Sequence, residues 1–233
     1  MDNCNVEQAK SLSKKNVIIG ILVVLMLIGG FVMVMWEPAT RMRQDAAMQK
    51  LTESIVTGDG RMMVNPKTLV VEGEDEEYPI DDMEEGIESI NVANMPSIYT
   101  VNGIGLLHIP KIDLEMPIVE GASRVDLRYG AGHYTPSAAL GQQGNSIVLG
   151  HRMYTHGRYF NRLDELAKDD EITVYDLNGS AYKYTVTETQ IIVPSALMDY
   201  IDMPYNGSRL TLVTCTPVRK ATHRLLVMAE MTE

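Results

Sequence analysis

The 233-residue chain has two cysteines, Cys4 and Cys215, and an uncharged apolar run over residues 17–36 separates them. A thiol acts as a nucleophile through its thiolate. An ordinary cysteine has a pKa of roughly 8.5, so catalysis needs a basic or cationic partner. That partner is usually a histidine distant in sequence and near in space. Five histidines are available: His108, His133, His151, His156 and His223. His108 lies within an apolar strand pattern and reads as a core histidine, whereas His156 lies in a polar loop. His151 directly follows the apolar run 146–150 and precedes Arg152, which puts it at a strand end. Cys215 closes the apolar strand 210–214 and meets Thr216-Pro217, where a strand must stop. Two strand ends can bring a thiol and an imidazole to one cleft. The other reading of Cys215 is an inert core cysteine.

The elements that position these residues begin with the run VIIGILVVLMLIGGFVMVMW at 17–36. A helix of about 20 apolar residues crosses a hydrocarbon core of roughly 30 Å. A cleaved signal peptide is the alternative, but the run exceeds the roughly 7–15 residues of a signal core and no small-residue cleavage site follows. Lys10, Lys14 and Lys15 precede it and keep the N-terminus cytoplasmic under the positive-inside rule, although Arg41 and Arg43 follow closely. The expected organisation is a cytoplasmic N-terminus at 1–16, a transmembrane helix at 17–36, a stalk at 37–97 and an extracellular catalytic domain at 98–233. Cys215 is then the only exported thiol, and an exported thiol without a disulfide partner is a liability unless it has a chemical role.

The net charge of −11 argues against a nucleic-acid partner, which calls for a basic stripe. Residues 72–88 carry ten acids and no base, a run that repels itself and stays solvated. The stalk is therefore expected outside the core, apart from a juxtamembrane helix at 40–57. Its segment 73–99 could either space the domain from the membrane or fold over the cleft as a lid, with Tyr78 or Tyr99 as the plug. From residue 98 onwards short β-like stretches follow one another, at 105–110, 114–120, 146–150, 171–175, 181–193, 209–214 and 223–229. Asn178-Gly179 signals a two-residue hairpin, and only residues 159–168 read as a short helix. Such a series suggests a closed barrel or sandwich.

Residues 211–215 read TLVTC, which resembles the sortase signature Thr-Leu-x-Thr-Cys. Arg224 follows within THRLLV, where sortases place their active-site arginine on the next strand. VLGHR at 148–152 resembles the family's histidine motif, and IPKI at 109–112 with LEMPI at 114–118 resembles its opening strands. The similarity spans about residues 103–229. It implies an all-β, sortase-like eight-stranded β-barrel with short helices, preceded by one transmembrane helix. It also implies a transpeptidase that cleaves an LPxTG-type sorting signal between Thr and Gly through a thioester on Cys215. His151 would be the acid and base and Arg224 the oxyanion donor, with Thr214 and Leu149 at the motif positions expected to contact substrate. No metal or organic cofactor is implied. The partners implied are surface proteins or pilins with a C-terminal sorting signal and an amine acceptor, either a pilin lysine or a cell-wall precursor peptide. CTP followed by THRLLV most resembles class C, the pilus-assembling branch, although the Asp-Pro-aromatic tripeptide common in class C lids does not occur. A membrane-anchored cysteine hydrolase and a catalytically inactive binding barrel are the rival readings.

Overall fold

The computed structural model describes residues 2–69 and 96–232. The chain divides into two compact units, Met1–Met42 and Arg43–Glu233. Helix α1 (Asp2–Val56) opens it. In the first unit the large apolar side chains from residue 17 to residue 36 are 48–80% exposed. Among the described residues this is the one helix long and apolar enough to cross a membrane, with a mean hydropathy of 3.1 over its most apolar window.

The second unit is a closed barrel. Its strands are β2 (Tyr99–Ile109), β3 (Leu114–Glu120), β4 (Ala131–His133), β5 (Gly144–Leu149), β6 (Glu171–Asp176), β7 (Ala181–Ile192), β8 (Ser208–Thr216) and β9 (His223–Met231). They run in the order β2-β3-β4-β5-β8-β9-β7-β6, and β6 returns to pair with β2, so the expected eight-stranded barrel is present. A further short strand, β1 (Arg61–Val64), pairs with the start of β2 outside the closure. β5 and β8 pair in parallel at the centre of the sheet. Side chains alternate across a strand, and here both faces are covered. Val148, Leu212, Leu225 and Val227 face the barrel core. Ile147, Leu149, Val213 and Leu226 face a second cluster, closed over by Leu197 and Ile201 of helix α2 (Leu197–Ile201). Burial on both faces explains why these strands read as nearly continuous apolar runs.

Several elements differ from their sequence expectation. The second compact unit begins at Arg43, not near residue 98, because the end of α1 packs on the barrel. Leu51 is fully buried, and Ile55, Met62 and Leu69 join the same core. The helix expected at 159–168 is a 3₁₀ turn over Phe160–Glu165. The two-residue turn at Asn178-Gly179 is a four-residue loop over 177–180, in which the Asp176 carboxylate accepts from the Asn178 and Ser180 amides at 2.8 Å each. His108 lies on the outer, half-buried side of β2, away from the core. The segment 73–95 of the expected lid lies outside the described residues. Tyr99 is half-buried, and its hydroxyl donates to Asp126 Oδ1 at 2.9 Å.

Leu51→Ala is expected to destabilise the second unit by roughly 2–5 kcal/mol, the usual effect of emptying a buried leucine site. Thermal unfolding of the full chain in detergent measures it. An unchanged midpoint would mean that the helix end is a stalk after all.

Candidate active site

Strands β5, β8 and β9 lie side by side, and each delivers one of the singled-out residues at the same end of the sheet. Cys215 on β8 stands directly opposite Arg224 on β9 in the antiparallel register. Directly opposed residues share a face, with Cβ atoms roughly 4.5–5.5 Å apart. On the other side Leu149 pairs with Val213, and the Gly150 amide continues the pairing by donating to the Val213 carbonyl at 3.0 Å. Two residues further along each chain stand His151 and Cys215. The alternation within β8 and β9 puts Cys215 and Arg224 on the face of Val213 and Leu226, outside the barrel core, while His151 follows the end of β5 by two residues.

Two side-chain bonds on the opposite face hold the strand ends together. The Thr214 hydroxyl donates to the Gly150 carbonyl at 2.7 Å, just before the thiol and the imidazole. Just after them Arg152 Nη1 donates to the Thr216 hydroxyl at 2.8 Å, and Arg152 also pairs with Asp164 at 2.7 Å. Thr214 and Leu149, the expected substrate contacts, are both fully buried. Thr214 faces the sister strand and Leu149 faces the second cluster. Gly150 admits no side chain, since a Cβ there would lie 2.6 Å from the Phe160 ring.

Arg224 is fully buried, and its Nη1 donates to the carbonyls of Ala221 at 2.9 Å and His223 at 3.2 Å. Those bonds fix the guanidinium plane relative to the turn that follows Cys215. That turn holds two non-glycine residues at positive φ, Arg219 at 70° and Ala221 at 50°, which is locally strained backbone of the kind found at functional sites. Arg219 lies over the Tyr154 ring at 4.8 Å, joining this turn to the loop after His151. Cys215 is a half-buried thiol. His223, the neighbouring alternative to His151, is exposed, as strand alternation requires when Arg224 is buried.

His151 is buried, and its ring meets the Tyr159 ring in a T-shaped contact at a centroid distance of 6.4 Å. Burial, with the Arg128 and Arg124 charges adding to it, pulls its pKa down to about 4, so the imidazole is neutral at pH 7. His133 was not singled out by its sequence context. It is buried at the end of β4, between the Glu120 carboxylate at 3.1 Å and the Ala138 carbonyl at 2.9 Å. Burial alone would lower its pKa, but those hydrogen bonds and the Glu120 charge outweigh it and raise it. A cavity of about 570 Å³ lies away from this site, lined by Met48, Thr52, Val56, Glu115 and Pro117 among others.

A family model described as a sortase domain matches residues 107–232. The chain is 30% identical over 153 residues to sortase A of Streptococcus agalactiae serotype III (strain NEM316), covering 62% of this chain and 61% of that protein. It is 34% identical over 113 residues to sortase D of Bacillus subtilis (strain 168), covering 48% and 54%. The chain thus spans less than two thirds of the length of these relatives. Among solved structures it is similar to sortase C-1 from Actinomyces oris, with TM-score 0.52 and 30% identity over 55% of this chain and 73% of that one. Streptococcus pneumoniae sortase C, whose structure bears on pilin substrate specificity, gives TM-score 0.52 and 28% identity over 56% and 69%.

Proposed function

Because the chain belongs to the sortase family, we propose that it is a membrane-anchored cysteine transpeptidase in which Cys215 is the nucleophile, His151 the acid and base, and Arg224 the oxyanion donor. The observation that carries this reading is the register that sets Cys215 between Arg224 on one neighbouring strand and the continuation to His151 on the other. His151, neutral at rest, accepts the thiol proton as the sulfur adds to the carbonyl, so that no free thiolate need form beforehand. The carbonyl is that of Thr in a Thr–Gly bond of an LPxTG-type signal, and the electron pair of the C=O bond moves onto oxygen. Arg224, always charged and planar, suits that developing oxyanion. The C–N bond then breaks, and the imidazolium gives its proton to the departing glycine amine. A group whose pKa is held near 4 releases that proton readily once charged. An acceptor amine attacks the thioester and returns its proton to His151. The C–S bond breaks with its electron pair on sulfur, His151 hands that proton to Cys215, and a new amide forms.

The likeness to class C structures at 28–30% identity supports pilins, or other surface proteins with a sorting signal, as substrates. The acceptor is then a pilin lysine or a cell-wall precursor peptide. The apolar helix with Lys10, Lys14 and Lys15 before it supports a single span with the N-terminus in the cytoplasm and the barrel outside.

The test is to incubate the full chain in detergent with an LPxTG-type peptide and an amine and to weigh the products. The expected product is the amide of the peptide with that amine. Free acid alone would favour the hydrolase reading, and no turnover would favour a binding barrel. Arg224→Lys is expected to lower kcat by about 10²–10³-fold with little change in KM, because an oxyanion contact strengthens only in the transition state. A lysine variant within a few-fold of the parent kcat would remove Arg224 from the mechanism.

A further inference from the structure

Gln44, on the part of α1 that packs on the barrel, is 3% exposed. Its Nε2 donates to the Tyr159 hydroxyl at 2.8 Å, and its Oε1 accepts from Arg158 Nη2 at 2.8 Å. Arg158 is held in turn by Asp45, one residue along the helix, at 2.7 Å. The Tyr159 hydroxyl donates to the Arg128 carbonyl at 2.7 Å. A tyrosine hydroxyl has one proton, and here the Arg128 carbonyl takes it, so towards the helix the oxygen can only accept. The residue at 44 must therefore donate to Tyr159 while accepting from Arg158. A side-chain amide does both, and a carboxylate does not.

Tyr159 is held on every side. Its backbone sits at φ 47° and ψ −135°, which a bulky residue rarely adopts. It forms a β-bridge with Arg152, and the next amide, Phe160 N–H, donates to the His151 carbonyl at 3.1 Å. The Tyr159 ring packs against the His151 ring in the T-shaped contact. A strained aromatic fixed this firmly against a histidine suits a position where geometry governs function.

We propose that Gln44 is a positioning residue for the reaction: it anchors the Tyr159 hydroxyl, Tyr159 sets the place of the His151 ring, and the helix end at 43–56 is thereby part of the catalytic unit. This rests on the reading of His151 as acid and base. Misplacing a catalytic group by about 1 Å can cost up to 10²-fold in rate, and a supporting hydrogen bond usually less.

The full chain in detergent, with an LPxTG-type peptide and an amine, gives kcat and KM per Cys215 thiol titrated by alkylation. Gln44→Glu keeps the length and the Arg158 contact but loses the donor. It is expected to lower kcat about 10-fold with KM within twofold. Tyr159→Phe, which also gives up the bond to the Arg128 carbonyl, should lose at least as much, and the double variant should be no slower than Tyr159→Phe alone, because the bond between the two side chains is already lost there. A loss of folded protein alone would reduce titrated sites and leave kcat per site unchanged. Should Gln44→Glu not fold, Gln44→Met is measured with the same expectation. A kcat within twofold of the parent, or a double variant that loses the product of the single losses, overturns the proposal. His151→Ala, run alongside, separates the two ideas. If it keeps the parent kcat, the role of His151 falls; if it is inactive while Gln44→Glu is normal, only the role of Gln44 falls.

Discussion

Cys215→Ala is expected to bring acyl transfer to background and to abolish the covalent adduct between the chain and a sorting peptide. The fold should survive, because Cys215 is half-buried at a strand end and neighbouring bonds hold the strand without it: Thr214 to Gly150, and Arg152 to Thr216. Intact-mass measurement of the parent after mixing with an LPxTG-type peptide should show one acyl group, and peptide mapping should put it on Cys215. The alanine variant should show none. Its melting temperature should stay close to that of the parent, which separates lost chemistry from lost structure. An adduct at another residue, or turnover in the variant, would remove Cys215 from the mechanism. A role as an inert core thiol predicts the opposite pair of results, no adduct in either protein and a loss of stability in the variant.

His151→Ala should lower kcat by about 10²–10⁴-fold, the usual worth of positioned acid–base catalysis. It should do so with little effect on KM, and His223→Ala should be nearly silent because that ring is exposed on the opposite face from Arg224. If His223→Ala is the more damaging of the two, the assignment is wrong. His151 also makes a prediction independent of activity. Its folded pKa is lowered from 6.5 to about 4, so the unfolded chain binds a proton there before the folded one does. The stability tied to the neutral ring is fully present above pH 6.5 and is lost as pH falls towards 4. Over that window the parent should lose stability faster than His151→Ala, read as the difference between their melting temperatures. Parallel pH curves for the two proteins would show that the ring is not held neutral by burial.

The residues around the thiol were legible because their signals are local. TLVTC, GHR and THRLLV each end or begin a strand, and a strand end is where apolar alternation stops and a functional side chain can face a cleft. The strands were legible for a related reason: β5, β8 and β9 are covered on both faces and so read as unbroken apolar runs. The short elements were not. β4 consists of Ala131, Gly132 and His133, with no β-branched residue to mark it. It is a strand because Gly132 lets the backbone come so close that a Cβ would lie 2.6 Å from the Gly121 carbonyl. Helix α2 is only five residues long, too short for a helical period to register.

By itself, then, the sequence determined the apolar helix and a series of short strands, and its resemblance to sortases supplied the eight-stranded barrel and the candidate site residues. Only the tertiary structure decided that Arg224 is fully buried, that Thr214 ties β8 to the end of β5, and that residues 43–69 belong to the same compact unit as the barrel. The physical reason is the range of the information. Periodicity reports which face of an element is apolar, but not which partner will cover it. Leu51 and Ile55 make the same pattern on a solvated stalk as on a helix packed against a barrel. Polar pairing is less visible still: the Gln44 amide and the Tyr159 hydroxyl are 115 residues apart, and a hydrogen bond between them leaves no trace in the neighbours of either.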